Sequence, residues 1–274
     1  MQKLIEVGKA TAQKYLNESR LLKRTAAPWS ALHLGLECGG SDALSGITAN
    51  PALGVASDRL VELGAVSVLG ETTEILGAEH LLAARAKNKE VGQAIIEMVA
   101  RYERSVNYEG IDMRGAQPSR GNIEGGLTTL EEKSLGAAKK AGNAPFTGAL
   151  DYADPAKEPG LYMMDTPGHD IEQLVAFSAA GINICVFTSG RGTPTGSANV
   201  PTIKVSTNTP MYESIPDLID LNAGTIAEGK ETLDEVGNRI FNEIIEVANG
   251  KLTKAEIGGH HEFALSRMYK TEVI

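Results

Sequence analysis

A chain of 274 residues with 35 acidic against 26 basic side chains, for a formal net charge of −9, lacks the field that would draw nucleic acid or an anionic membrane. Its 42% hydrophobic content can fill one large α/β core, so residues 1–274 are expected to form a single domain. Two cysteines are too few for a disulfide scaffold and suit a reducing cytoplasm. Residues 1–25 mix Lys, Glu and Arg with apolar positions, and neither a signal peptide nor a membrane span is expected there.

In chain order, residues 4–22 carry a loose helical spacing of Leu, Ile, Val and Tyr and form a lead-in helix. The alternating LHLGL at 32–36 gives a first strand, followed by a glycine loop and a helix over 51–63 that Gly64 closes. A second strand, 66–69, runs into GETTE. Residues 78–108 form one long amphipathic helix with Leu81, Leu82, Val91, Ile95, Ile96 and Val99 as its apolar stripe. Residues 109–160 are rich in Gly, Pro, Asn and Ser and form a long excursion with one helix at 129–141. Alternation then resumes: a strand at 161–165, a helix over 171–180, a strand at 182–189, further strands at 202–206 and 218–221, and a helix over 232–248. The order predicts an α/β fold, a mostly parallel, Rossmann-like sheet with helices on both faces.

Polar clusters fall where the predicted strands end or glycine loops begin, and in a parallel sheet such ends share the edge where ligands bind. The stretch LECGGSDALSGITANP offers Cys38, Ser41, Asp42 and Asn50 around three glycines, in a setting that equally suits a glycine turn and a capped helix. Beyond the second strand lie Glu71 and Glu74. GNIEGGLTT brings Asn122 and Thr128 but lacks the lysine of a phosphate loop, so a nucleotide is not the first choice. DTPGHD supplies Asp165 and His169, the latter a general base or a solvated turn residue. TSGRGT supplies Thr188 and a glycine-flanked Arg191 able to hold a carboxylate with its fork, or to sit in a surface turn. Glu71, Glu74 and His80, with Cys38 as a softer ligand, have the chemistry of a divalent-metal site.

LECGGSDALSGITANPALG, ETTEILGAEHLL, GNIEGGLTTLEEKSLG, MDTPGHD and FTSGRGT, in register over residues 32–249, resemble the altronate and galactarate dehydratase family. The resemblance implies a hydro-lyase that removes water from a sugar acid to give a 2-keto-3-deoxy acid, with a divalent metal, Fe²⁺ or Mn²⁺. A branch that looks similar eliminates sulfite from sulfolactate. It further implies that an N-terminal domain and a middle domain, or a small partner subunit, complete the enzyme, and that a homo-oligomer can form. Thr73 stands where the family commonly has proline. In this frame His169, Glu71 or Glu74 is the catalytic base. Arg191 holds the substrate carboxylate; Ser41, Asp42, Asn50, Asn122, Thr128, Asp165, Thr188 and Asn208 surround the substrate, and Cys38 and His80 hold the metal. The competing reading is a non-catalytic domain that assembles with a catalytic partner.

Overall fold

The computed structural model describes residues 1–108, 110, 112 and 114–265. In chain order its elements are helix α1 (Gln2–Ser19), strand β1 (His33–Gly39), α2 (Ala49–Glu62), β2 (Val66–Leu69), α3 (Glu79–Ala84), α4 (Lys89–Tyr108), α5 (Arg120–Glu124) and α6 (Leu130–Ala138). They continue with β3 (Phe146–Leu150), β4 (Gly160–Met164), α7 (Asp170–Ala179), β5 (Ile184–Ser189), β6 (Thr202–Ser206), α8 (Thr209–Ser214), β7 (Leu221–Asn222), α9 (Leu233–Ala248) and α10 (Lys254–Ile257).

The seven strands form one sheet in the order β3-β4-β2-β1-β5-β6-β7, and every pairing is parallel. The connection β1-α2-β2 steps one way along the sheet, and β4-α7-β5 steps back the other way past β2 and β1. Right-handed crossovers that run in opposite directions put their helices on opposite faces. Accordingly Leu34, Leu36, Leu161, Met163, Val186 and Ile203 pack with α2, α4 and α9 on one side. Val66, Val68, Tyr162, Met164 and Cys185 meet Leu174 and Phe177 of α7 on the other. The period-2 alternation of β4, with Leu161 and Met163 on one face and Tyr162 and Met164 on the other, is that of a strand buried on both sides.

Three predicted elements change. The helix expected over 78–108 breaks at Arg85–Asn88, because Ala86 bridges to Phe146 of β3 and the Asn88 side chain accepts the Val91 N–H at 2.9 Å to start α4. The excursion 109–160 contains the edge strand β3, whose FTGAL is half-buried beyond its phenylalanine and carries no clean alternation. The strand expected at 218–221 is displaced to Leu221–Asn222, since the Asp220 carboxylate accepts the backbone N–H groups of Lys204 (2.7 Å) and Lys254 (2.9 Å). α1 buries none of its 18 residues, so Leu4, Ile5, Val7, Tyr15 and Leu16 remain exposed. Among the described residues no helix is long and apolar enough to cross a membrane.

Candidate functional site

The carboxyl ends of β1, β2, β4 and β5 are neighbours on one edge of the sheet. β2 and β4 lie side by side, yet their chains leave toward opposite faces, which opens a crevice between the two exits. A cavity of about 260 Å³ fills this position, lined by Cys38, Ser41, Glu74, Gln117, Lys133, Asp170 and Arg191 among others. A larger cavity of about 580 Å³ lies at the opposite edge, against Leu32, Ile184 and Pro201, where the strands begin. Its one charged lining residue is Arg24, whose Nη1 donates to the Ala248 carbonyl at 2.6 Å. The chemistry is therefore at the carboxyl edge.

Behind the cavity wall is a buried ionic group. After α6 a 3₁₀ turn, Lys139–Ala141, packs on α2 at Gly54, where an added Cβ would lie 2.4 Å from the Lys139 carbonyl oxygen. That close approach needs glycine, and it aims the wholly buried Lys140 at the end of β1. The Lys140 ammonium donates to Cys38 Sγ at 2.8 Å and to Glu71 Oε2. The same Glu71 oxygen accepts the Cys38 N–H at 3.0 Å, and the Glu71 N–H donates to Thr166 Oγ1 at 2.6 Å. Glu71 sits at φ 66°, in the left-handed region that costs a side-chain-bearing residue about 1–3 kcal/mol, and these contacts hold it there.

Burial pushes the Glu71 carboxyl up to about 7; the Lys140 ammonium pulls against that rise, and Glu74 and Asp170 add to it. Burial, then the Glu71 charge, also pushes the Cys38 thiol up, with Lys140 opposing. Burial alone would lower Lys140, but Cys38 and Glu71 outweigh it and hold the ammonium above the ordinary lysine range. Next to Cys38 on β1, Glu37 is wholly buried and neither carboxyl oxygen has a hydrogen-bond partner. Burial first, then Glu71 and Asp170, raises it well above the usual carboxylate range, so it stays protonated where the others ionise.

In the cavity itself Lys133 Nζ lies 3.0 Å from Glu74 Oε1 and donates to Gln117 Oε1 at 2.7 Å. Glu74 Oε2 is buried without a partner. Arg191 lies across α5: a Cβ on Gly121 would be 2.3 Å from its Nη1, so the glycine makes room for the guanidinium. Its nearest carboxylate is Glu124 at 3.6 Å, and both side chains are about half exposed.

Of the residues singled out from sequence, Cys38, Ser41, Glu74, Asn122 and Arg191 line the cavity and Glu71 stands directly behind it. The others are engaged elsewhere. Asp42 accepts from Ser45, Thr207 and Asn208 and ties together the loops after β1 and β6. Thr188 donates to Asn50 Oδ1 at 2.6 Å, while Asn50 Nδ2 reaches the Gly136 carbonyl. Asp165 accepts from Thr72 at 2.7 Å and from Arg101 at 2.6 Å. Thr128 is exposed and donates to Glu132, and Asn122 spends its amide on Ser41 and Ser119. His169 is the exposed residue before α7, and His80 is exposed on α3; neither lines the cavity.

Lys133, Lys140, Gln117, Asp170 and Glu37 were not anticipated. A faint signal existed for Lys133 alone, which stands at i, i+3, i+4 spacing among Leu130, Ser134, Ala137, Ala138 and Ala141, all buried. As for the expected metal, no group of three or more His, Cys, Asp and Glu among the described residues is arranged to hold one. The Cys38 sulfur already faces an ammonium, which would repel a second cation. These residues by themselves do not fit a divalent metal.

The profile of the family described as D-galactarate/altronate dehydratase, C-terminal, matches residues 29–271. Galactarate dehydratase (L-threo-forming) of Escherichia coli (strain K12) is 43% identical over 91% of this chain and 48% of its own length. Altronate dehydratase of Bacillus subtilis (strain 168) is 42% identical over 95% of the chain and 52% of its own length. The (2R)-sulfolactate sulfo-lyase subunit beta of Chromohalobacter salexigens is 36% identical, over 95% of the chain and 67% of the subunit. The chain thus spans about half the length of the two dehydratases. Since the matched span takes in every strand and every residue of the carboxyl-edge cavity, the chain belongs to the D-galactarate/altronate dehydratase C-terminal family.

Proposed function

We propose that this chain is the sugar-acid-binding, C-terminal part of a hydro-lyase that converts an altronate- or galactarate-type acid to a 2-keto-3-deoxy acid. The observation that carries the reading is the meeting of Arg191, Lys133, Glu74 and Cys38 in one cavity at the carboxyl edge, with the buried Glu71–Lys140 pair behind it. Loss of a proton α to a carboxylate builds negative charge on that carboxylate, and a fixed cation stabilises it. Arg191 can be that cation, since it lines the cavity and its ion pair with Glu124, at 3.6 Å, is half exposed and can yield to a substrate carboxylate. Glu71, with its carboxyl near 7, suits a proton acceptor working around neutrality, and Cys38 stands between it and the cavity.

Fe²⁺ or Mn²⁺ dependence belongs to the proposal for the whole protein, with ligands supplied at least in part from outside the described residues. Its partners are the sugar acid and the rest of the enzyme, as further domains or a small subunit, in an assembly that can include more copies of this chain. Two unpaired thiols, Cys38 and Cys185, favour a cytoplasmic setting. The chain by itself is expected to bind the acid weakly and to turn it over far below the ~1–10³ s⁻¹ usual for enzymes, with turnover restored by adding the remainder of the protein and Fe²⁺. Assays on the assembled enzyme with altronate, galactarate and sulfolactate decide the reading: consumption of sulfolactate alone would move the chain to the sulfo-lyase branch.

Arg191→Ala is expected to weaken acid binding ~10- to 100-fold while shifting stability by no more than ~0.5 kcal/mol, because the side chain is half exposed. Arg191→Lys should recover only part, lacking the bidentate fork. Calorimetric titration with the acid, alongside a melting curve, checks both; unchanged binding in Arg191→Ala removes it from the site.

A further inference from the structure

The thiol at the carboxyl end of β1 is set apart from the other cysteine by its neighbours. Lys140 Nζ lies 2.8 Å from Cys38 Sγ, and the same nitrogen bonds Glu71 Oε2. Sγ also meets Ser41 Oγ at 3.9 Å, and Cys38 and Ser41 both line the carboxyl-edge cavity. Cys185 keeps no exposed surface and lines neither cavity. A sulfur, an amine nitrogen in contact with it and a carboxylate able to take the amine's proton thus stand together beside a cavity of about 260 Å³, which has room for a molecule as small as hydrogen peroxide. The dehydration chemistry proposed for the site makes no use of the contact between sulfur and nitrogen.

We propose that Cys38 and Lys140 form a peroxide-sensitive modification site, in which Sγ and Nζ join in a covalent sulfenamide that a thiol reductant reopens. In the first step Sγ attacks one oxygen of hydrogen peroxide. The S–O bond forms, the O–O bond breaks, and the thiol proton leaves with the other oxygen as water, which gives the sulfenic acid. Lys140 then passes one ammonium proton to Glu71, and the nitrogen lone pair attacks sulfur. The S–N bond forms, the S–O bond breaks, and the hydroxyl departs with a second nitrogen proton as water. Sulfur is oxidised by two electrons, and the peroxide is reduced to two waters. Glu71, with its carboxyl near 7, can take that proton and release it around neutrality. Because Nζ is already in contact with Sγ, the second step needs no encounter between separate molecules. Burial keeps Cys38 as the thiol and makes the first step the slow one. The bridge removes the positive charge of Lys140 and leaves Glu71 without its cation.

The test is intact-mass measurement and peptide mapping of the 274-residue chain after treatment with hydrogen peroxide in the presence of a metal chelator. The folded chain is expected to lose about 2 Da, to yield a cross-linked peptide pair containing Cys38 and Lys140, and to regain its original mass with dithiothreitol. Cys38→Ser should show no such loss. Lys140→Met should stop at the sulfenic acid and be labelled at Cys38 by dimedone; should that variant not fold, the wild-type peptide map and Cys38→Ser decide alone. Oxidation of Cys38 to a product about 16 or 32 Da heavier with no cross-linked pair overturns the proposal. A bridge that retains an oxygen, a Cys38 that peroxide leaves unchanged, or the same mass loss in Cys38→Ser overturns it equally.

Discussion

Replacing Lys140 with methionine is expected to destabilise the protein by about 3–5 kcal/mol, the range found when one partner of a buried ion pair is removed. The ammonium is wholly buried and is the cation that bonds Glu71 Oε2 and Cys38 Sγ. Without it the Glu71 carboxylate, left-handed at φ 66°, would have as hydrogen-bond donor to that oxygen only the Cys38 N–H, in a neighbourhood that already holds the buried Glu37. Glu71 would then take up a proton, and part of the loss would fall away below pH 7. Adding Glu71→Gln should therefore return a share of the lost stability, since the double variant has neither charge. Urea midpoints at constant slope measure each corner of this cycle. A loss below about 1 kcal/mol for Lys140→Met would show that the pair contributes little to the fold and would weaken the case that it shapes the site.

The sheet was legible because buried parallel strands are continuous apolar runs, and INICVFTS has no other comfortable home in a fold of alternating strands and helices. β3 was not legible: FTGAL at the sheet edge is held by its pairing with β4, a long-range contact with no local signature. The break between α3 and α4 has the same origin, since Ala86 leaves the helix to bridge Phe146. Among site residues, the glycine loops announced where the cavity would be, and five of the expected residues do line it. Asp42, Asn50, Thr188 and Asn208 were just as visible, but their polar groups satisfy one another and bind the loops together. Sequence spacing cannot separate a polar group that waits for a ligand from one that has a neighbour. Lys133 and Lys140 were hidden by the opposite habit, because charges on a helical stretch are ordinarily its solvated face. Their burial follows from α6 and its 3₁₀ turn packing on the β1–β2 side, where Ser134 Oγ reaches the Leu76 carbonyl at 2.5 Å.

Glu37 leads to the second large effect. Glu37→Met is expected to stabilise the protein by about 1–3 kcal/mol at pH 5, the cost of keeping a buried polar group unsatisfied, and by more at pH 8, while leaving the fold intact. The sign follows from proton linkage. Burial holds the folded-state value of Glu37 above that of the unfolded chain, so between the two the native state retains a proton that the unfolded state has released. Wherever the native state binds the extra proton, stability falls as pH rises, by up to ~1.4 kcal/mol per pH unit for each such group. Glu71 acts in the same direction from the ordinary carboxylate value near ~4.3 up to about 7. Lys140, held above the ordinary lysine range, keeps its contribution throughout this interval and does not oppose the trend. The wild-type protein should thus lose stability as pH climbs from about 4.5 toward 7 and beyond, and Glu37→Met should lose less while retaining the part due to Glu71. Urea unfolding at pH 5, 6, 7 and 8 on both proteins measures this. A variant less stable than wild type at every pH would mean that Glu37 makes a favourable contact that outweighs its desolvation, and the protonated, unpartnered assignment would be wrong.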